Sequence, residues 1–343
     1  MFNPIAVAVA VAAVVILIGW VHRAIKPPPP TACGSVGGPP VTSPRVKLSD
    51  GRHLAYREFG VPKEEARYKM IIIHGYGDSK DSKLINVSQE LVEDLGIYFL
   101  SFDRAGYGES DPNPLRSVKS EAYDIQELAD KVQIGDKFYV LGMSMGGYSA
   151  WSCLNYISHR LLGVALVAPV LNYFGMPSFP DNLLKEALRM LPKSDRWTLR
   201  VAHYAPWLFY WWRTQKWFPT LSPVNLETLP HEDIEAIKSL PEDPNMGQKA
   251  TQQGTYESLH RDLIVALGKW EFGPTEIKNP FPDNDGAVHL WQGSKDTIIS
   301  CMLMRYIAHK QPWIHYHELP NAGHMFIKSR NECESIIRAL LAS

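Results

Sequence analysis

The segment LGMSMGGYSA, residues 141–150, places Ser144 between Gly142 and Gly146, with Gly147 beside them. A serine hydroxyl is a weak nucleophile at neutral pH. It needs a base, and the base needs a carboxylate to orient it. Glycine on both sides of the serine suits a strand-to-helix turn so sharp that flanking side chains would clash, a G-x-S-x-G elbow that lifts the hydroxyl clear of the backbone. Downstream, Asp296 in LWQGSKDTIIS and His324 in ELPNAGHMFIKS supply the two partners, acid first and histidine second. Acyl chemistry also needs donors aimed at the oxyanion that develops on the attacked carbonyl. The backbone N–H groups of Met145, next to the serine, and of Tyr76 in HGYGDS are the expected pair. Asp283 and Asp285 compete for the acid role, but they precede the strand near 288–292 that Asp296 follows. His74 reads as a support for its loop and not as a second base.

The elements that must hold these groups are legible as alternating strands and helices. RVKLSDGRHLAYREFG carries a hairpin signal around Ser49-Asp50-Gly51. YKMIIIHGYG, IYFLSFD, KFYVLG and LLGVALVAP are apolar runs of the kind that fill a parallel sheet buried on both faces. VHLWQ (288–292) and IHYHEL (314–319) add two further strands. Helical spacing appears over 81–95, at Ile125, Leu128, Ala129 and Val132, after the serine in GGYSAWSCLNYISHR, and at Cys333, Ile336, Ile337, Leu340 and Leu341. The alternation predicts an α/β fold with a mostly parallel sheet covered on both faces. It is interrupted over about 172–285, a proline- and aromatic-rich stretch read as a largely helical insertion above the ligand crevice.

Composition narrows the class. A chain of 343 residues with 45% hydrophobic and 21% charged residues can bury a core without disulfides or a structural metal. The four cysteines form no CxxC pair, and no cofactor or metal site is suggested. A net charge of −1 gives no basic field for nucleic acid. At the N-terminus, Ile5–Val21 is apolar and uncharged, with Trp20, His22, Arg23 and Lys26 at its end. Residues 1–26 therefore read as an uncleaved single-pass membrane anchor, with the positive flank placing the rest of the chain in the cytosol, at the endoplasmic reticulum. PPPPTACGSVGGPP (27–40) reads as a linker, and the folded domain is expected over 41–343. The sequon Asn86-Val87-Ser88 falls within a predicted helix and is expected to stay unmodified.

HGYG, DRAGYGES, GMSMGG, GSKD and NAGH, in that order and spacing, resemble the motifs of the alpha/beta-hydrolase fold superfamily over about residues 45–343. The insertion resembles that superfamily's variable cap, and cap and N-terminus together are most similar to plant-type membrane-anchored members. Ser300 stands where the family often has proline after the acid. The resemblance implies a serine hydrolase of the carboxylesterase or lipase type, working by two-step acyl transfer through a serine ester. Ser144 argues against an epoxide hydrolase, which carries aspartate at the elbow. Asp78 follows His74 one position short of the spacing in a lipid-modifying acyltransferase branch. The aromatic segment APWLFYWWRTQKWF (205–218) packs the cap, lines an apolar tunnel or forms a membrane-facing surface. The substrate expected is a hydrophobic small-molecule carboxylic ester, of a lipid or a specialised metabolite. The alternative is a small-molecule receptor that keeps the triad, because fold does not fix function.

Overall fold

A computed structural model describes residues 4–83, 85–176, 178–221, 229–239 and 243–342. Eight strands form its sheet: β1 (Arg45–Lys47), β2 (His53–Gly60), β3 (Tyr68–Ile73), β4 (Ile97–Phe102), β5 (Phe138–Met143), β6 (Leu161–Val167), β7 (Ala287–Gly293) and β8 (Ile314–Leu319). Their order is β1-β2-β4-β3-β5-β6-β7-β8. The first two pairings, β1 with β2 and β2 with β4, are antiparallel, and every later one is parallel. The hairpin turn at Ser49-Asp50-Gly51 closes with Gly51 at φ 92°, a conformation that favours glycine.

The period-2 geometry of a strand explains why these apolar runs need cover on both faces. Ile71 and Ile73 of β3, with Phe138 and Val140 of β5, belong to one core; Met70, Ile72, Tyr139 and Leu141 belong to the other. The first core is closed by α3 (Val118–Val132), α4 (Gly146–Tyr156) and α11 (Cys301–Lys310), through residues such as Ile125, Trp151 and Leu303. The second is closed by α2 (Gln89–Leu95) and α12 (Arg330–Leu341), through Val92, Ile336, Ile337 and Leu340. Each such side chain, fully withdrawn from water, contributes roughly 1.5–3 kcal/mol. The helix expected over 81–95 is shorter than its periodicity suggested. It starts only after Ser88, whose side chain caps the Leu91 amide, and Asn86 of the sequon lies in the preceding loop with its side-chain amide donating to the Lys328 carbonyl at 2.8 Å.

Between β6 and β7 the chain runs through α5 (Asp181–Met190), α6 (Lys193–Tyr204), α7 (Phe209–Thr214), α8 (His231–Ser239), α9 (Met246–Ala250) and α10 (Arg261–Leu267), with no strand among the described residues. A buried charge network ties this stretch to the sheet. Asp262 of α10 accepts two bonds from Arg104 at 2.6 Å each, one from Arg116 at 3.0 Å, and one each from the Tyr107 and Tyr148 hydroxyls at 2.7 and 2.8 Å. Burial raises the cost of the Asp262 charge, yet Arg104 and Arg116 hold its carboxyl down at about 2.

The expected membrane anchor is corrected. Ile5–Val21 lies within a helix, α1 (Pro4–Ile25), that touches α7. Among the described residues, however, no helix is long and apolar enough to cross a membrane. As a helix the apolar stretch extends about 26 Å at 1.5 Å per residue, short of a hydrocarbon core about 30 Å thick. The single-pass topology and the cytosolic, endoplasmic-reticulum placement built on it fall with that helix. Residues 27–40 also differ from a free spacer. The Thr31 amide donates to the Gln253 carbonyl at 2.9 Å, the Cys33 amide to Gln253 Oε1 at 2.9 Å, and Cys33 is buried.

Candidate active site

Ser144 occupies the turn between β5 and α4 at φ 48°. A left-handed conformation costs a non-glycine residue roughly 1–2 kcal/mol, so surrounding contacts must impose it. The Ser144 amide donates to the Val167 carbonyl at 2.9 Å, and its own carbonyl accepts the Val170 amide at 2.8 Å. The glycines make room. A Cβ at Gly142 would lie 2.7 Å from the Ala150 Cβ, one at Gly146 would meet the Ile73 and His74 carbonyls, and one at Gly147 would meet Pro169. Strand β5, helix α4 and the chain after β6 can therefore close around the serine only if these three positions lack side chains.

His324 lies on the loop after β8 and Asp296 on the loop after β7, both at the C-terminal end of the sheet. The fold brings the three predicted residues together. His324 Nε2 is 2.9 Å from Ser144 Oγ, and His324 Nδ1 is 2.8 Å from Asp296 Oδ2. Asp296 is fixed by four donors in all: Gln292 Nε2 at 2.9 Å, the Ile298 and Ile299 amides at 2.8 Å each, and the histidine. With Nδ1–H committed to the carboxylate, Nε2 is left as the acceptor for the serine proton. Burial disfavours the charged imidazole, but the Asp296 charge and hydrogen bond, and then the Asp233 charge, outweigh it and raise the His324 pKa above its ordinary value of 6.5. The competing acids lie elsewhere. Asp283 and Asp285 are exposed ahead of β7, at the opposite end of that strand, and Asp285 is paired with Lys137 at 3.5 Å.

The Tyr76 loop follows β3 and abuts the serine: a Cβ at Gly75 would lie 3.5 Å from the Ser144 Cβ. His74 shapes this loop. Its Nε2 accepts the Arg104 amide at 3.0 Å, which places the proton on Nδ1, and Nδ1 donates to the Gly75 carbonyl at 2.8 Å. Full burial, with Arg104 nearby, pushes its pKa well below 6.5 and keeps it neutral. Among the described residues, neither the Tyr76 nor the Met145 amide donates to a protein acceptor. Met145 is also the residue from which α4 begins, so the helix's partial positive charge lies at the same point. This is the arrangement that can receive a developing oxyanion.

A cavity of about 700 Å³ opens onto Ser144 and His324. Its walls are mainly apolar: Leu191, Leu199, Leu229 and Leu263 from the insertion, and Ile298 and Ile299 from the loop after Asp296. Asp78 and Lys328 add a polar edge. Two site residues had no local signal in the sequence. Gln292 lies one residue before the end of β7 and is recognisable as the Asp296 donor only once the following turn folds back. Asp233 is remote in sequence, yet its Oδ2 accepts the His324 amide at 2.7 Å.

The sequence profile of the alpha/beta hydrolase family matches residues 70–332. A search of curated protein sequences finds no significant match. Among solved structures, the chain is similar to an enol-lactonase from Burkholderia xenovorans LB400, with 16% identity, a TM-score of 0.57, and 88% of this chain and 100% of that one covered. It is similar to a thermophilic esterase from Thermogutta terrifontis, with 18% identity, a TM-score of 0.54, and coverage of 88% and 98%. A third similar structure comes from a study of carboxylesterases of the thaumarchaeon Nitrososphaera gargenis, with 15% identity, a TM-score of 0.55, and coverage of 87% and 98%. At these identities the likeness is one of fold.

Proposed function

From the premise that the chain belongs to the alpha/beta hydrolase family, we propose that it is a serine hydrolase that cleaves a hydrophobic carboxylic ester. The observation that carries this reading is the continuous hydrogen-bonded line from Ser144 Oγ through His324 to Asp296, opening into an apolar cavity. In the first half-reaction Ser144 Oγ attacks the ester carbonyl while its proton moves to His324 Nε2. Asp296 stabilises the imidazolium, and the Tyr76 and Met145 amides donate to the oxyanion. As the tetrahedral intermediate collapses, Nε2–H protonates the departing alkoxide, leaving an acyl ester on Ser144. In the second half-reaction water attacks that ester and gives its proton to Nε2. As that second intermediate collapses, Nε2–H returns its proton to the departing Ser144 Oγ, which releases the carboxylic acid and restores serine and neutral histidine.

Residues 172–285 act in this proposal as a cap whose leucines exclude water from the acyl or alcohol group. A cavity of about 700 Å³ falls in the range for small-molecule sites, roughly 300–1,000 Å³. The test is turnover of p-nitrophenyl butyrate by the wild-type chain and by Ser144→Ala. Multiple turnovers that depend on Ser144 support the reading. Stoichiometric labelling by a fluorophosphonate with no turnover of any ester would favour a ligand-binding role for the same pocket.

A further inference from the structure

Asp233 is a buried carboxylate beside the triad to which the triad chemistry assigns no task. It sits on α8, is 1% exposed, and makes no ion pair among the described residues. Its Oδ2 accepts the His324 amide at 2.7 Å, the Met325 amide also bonds to it, and its Oδ1 has no partner among the described residues. Contact with the histidine loop is close enough that a Cβ at Gly323 would collide with this carboxylate. A buried carboxylate so poorly neutralised is costly unless nearby positive charge or donors offset it. The charge that arises nearby during the proposed reaction is the His324 imidazolium.

We propose that Asp233 is a positioning residue through which the cap holds the catalytic histidine. It has two effects. Its Oδ2 fixes the backbone of the His324 loop, and so the placement of Nε2 against Ser144. Its charge, added to that of Asp296, stabilises the protonated ring. Because α8 belongs to the insertion between β6 and β7, the histidine is aligned only while this helix is seated. Cap seating and catalytic competence are therefore coupled through one carboxylate.

The electrostatic surroundings permit a clean test. The charges that reach the His324 ring are Asp296, from the loop after β7, and Asp233, from α8. Glu232 and Glu235 of α8 and Arg330 and Glu332 of α12 line a cleft together with Asp233. The Tyr173 hydroxyl and Cys301 lie toward Asp296, and Asp78 with Lys328 lines the cavity beyond the ring. An anion stabilises imidazolium, so removing the Asp233 charge lowers the His324 pKa. The acidic limb of kcat/KM must then move to lower pH.

The inference rests on the hydrolase reading, so its test includes a measurement without substrate. Asp233→Asn keeps an acceptor oxygen and loses the charge; Asp233→Ala loses both. In the full chain with p-nitrophenyl butyrate, Asp233→Ala is expected to lose roughly ten- to a hundredfold in kcat with little change in KM, as for a small misplacement of a reacting group. Asp233→Asn should recover most of that kcat while its acidic limb shifts to lower pH. Titration of the His324 ring by NMR in the ligand-free protein should show the same downward shift. If Asp233→Ala does not fold, the Asp233→Asn limb and ring titration decide. Unshifted values in Asp233→Asn, or a folded Asp233→Ala with wild-type kcat and pH profile, overturn the proposal. If wild-type protein hydrolyses no ester, the hydrolase reading has failed, and the NMR titration still decides whether Asp233 acts on the histidine.

Discussion

At the scale of single residues, the reaction proposed here depends on an atom, a proton acceptor and a charge. Ser144→Ala removes the bond-forming oxygen and is expected to abolish measurable ester hydrolysis with the thermal transition unchanged, because a smaller side chain at φ 48° adds no clash. Asp296→Asn and His324→Ala should each cost roughly 10³ or more in kcat, since the three residues act as a unit. A near-normal Asp296→Asn enzyme would refute that assignment. The pH profile follows from the His324 surroundings. The base must be neutral to take the serine proton, and its pKa lies above 6.5. Activity should therefore fall as pH drops through a value higher than that of an ordinary histidine. The same shift has the opposite sense for folding: the raised pKa contributes stability that is present below 6.5 and is lost as pH rises through the folded value. Legibility at this scale was high wherever the chemistry is local. Gly142, Gly146 and Gly147 mark the elbow because each faces backbone or side-chain atoms that exclude a Cβ. Asp233 carries no such local mark, because its role exists only across segments that meet after folding, and Gln292, though four residues from Asp296, reaches it only through the shape of the turn between them.

At the scale of elements, the strands were readable because their apolar runs are buried on both faces, as Phe138–Met143 shows at every position. The 81–95 periodicity misled because Val87 stands at helical spacing from Leu91 and Leu95, yet precedes the helix, which Ser88 caps from an extended backbone. The insertion was recognisable as helical, but not the way it is fastened. That fastening is the Asp262 network, whose members are scattered between Arg104 and Asp262 in the chain. Asp262→Ala leaves the buried Arg104 guanidinium without its carboxylate, while Arg116 keeps Glu121, and should cost about 3–5 kcal/mol by chemical denaturation. The depressed Asp262 pKa gives stability that is complete above about pH 4 and lost as pH falls toward 2. The acid-unfolding curve of the wild type should show that dependence, and the Asp262→Ala curve should lack it. The leucines of the same insertion set the expected preference for substrate. Across p-nitrophenyl acetate, butyrate and hexanoate, kcat/KM should rise by up to about fourfold per methylene, the equivalent of ~0.8 kcal/mol for each buried CH₂. A flat or falling series would contradict an apolar acyl site.

At the scale of the whole molecule, an eight-stranded sheet delivers Tyr76, Ser144, Asp296 and His324 from four loops at one end, and the insertion closes over them. The membrane-anchor reading of the N-terminus does not hold among the described residues. Apolarity over Ile5–Val21 marks a helix, but hydropathy carries no information on what that helix meets, and here α1 touches α7. Nor does the Pro/Gly composition of 27–40 reveal that Cys33 and Thr31 dock on Gln253, and that Thr42 binds Glu109 at 2.8 Å just beyond. Deleting residues 1–26 should therefore leave kcat on a small ester unchanged. Deleting residues 1–40 should lower stability by about 1–3 kcal/mol, for the lost Cys33 burial and hydrogen bonds. Equal stability of the two truncated forms would show that the 27–40 contacts contribute nothing.

The central claim is that Ser144 forms a covalent acyl intermediate with His324 as its base. The most direct measurement is intact-mass and peptide mass spectrometry after treatment with a fluorophosphonate, beside p-nitrophenyl butyrate turnover on the same samples. The account predicts one adduct per chain, located on the peptide containing Ser144, with parallel loss of turnover, and no adduct in His324→Ala over the same time. Undiminished turnover with Ser144 unlabelled, or in the Ser144→Ala protein, would contradict it.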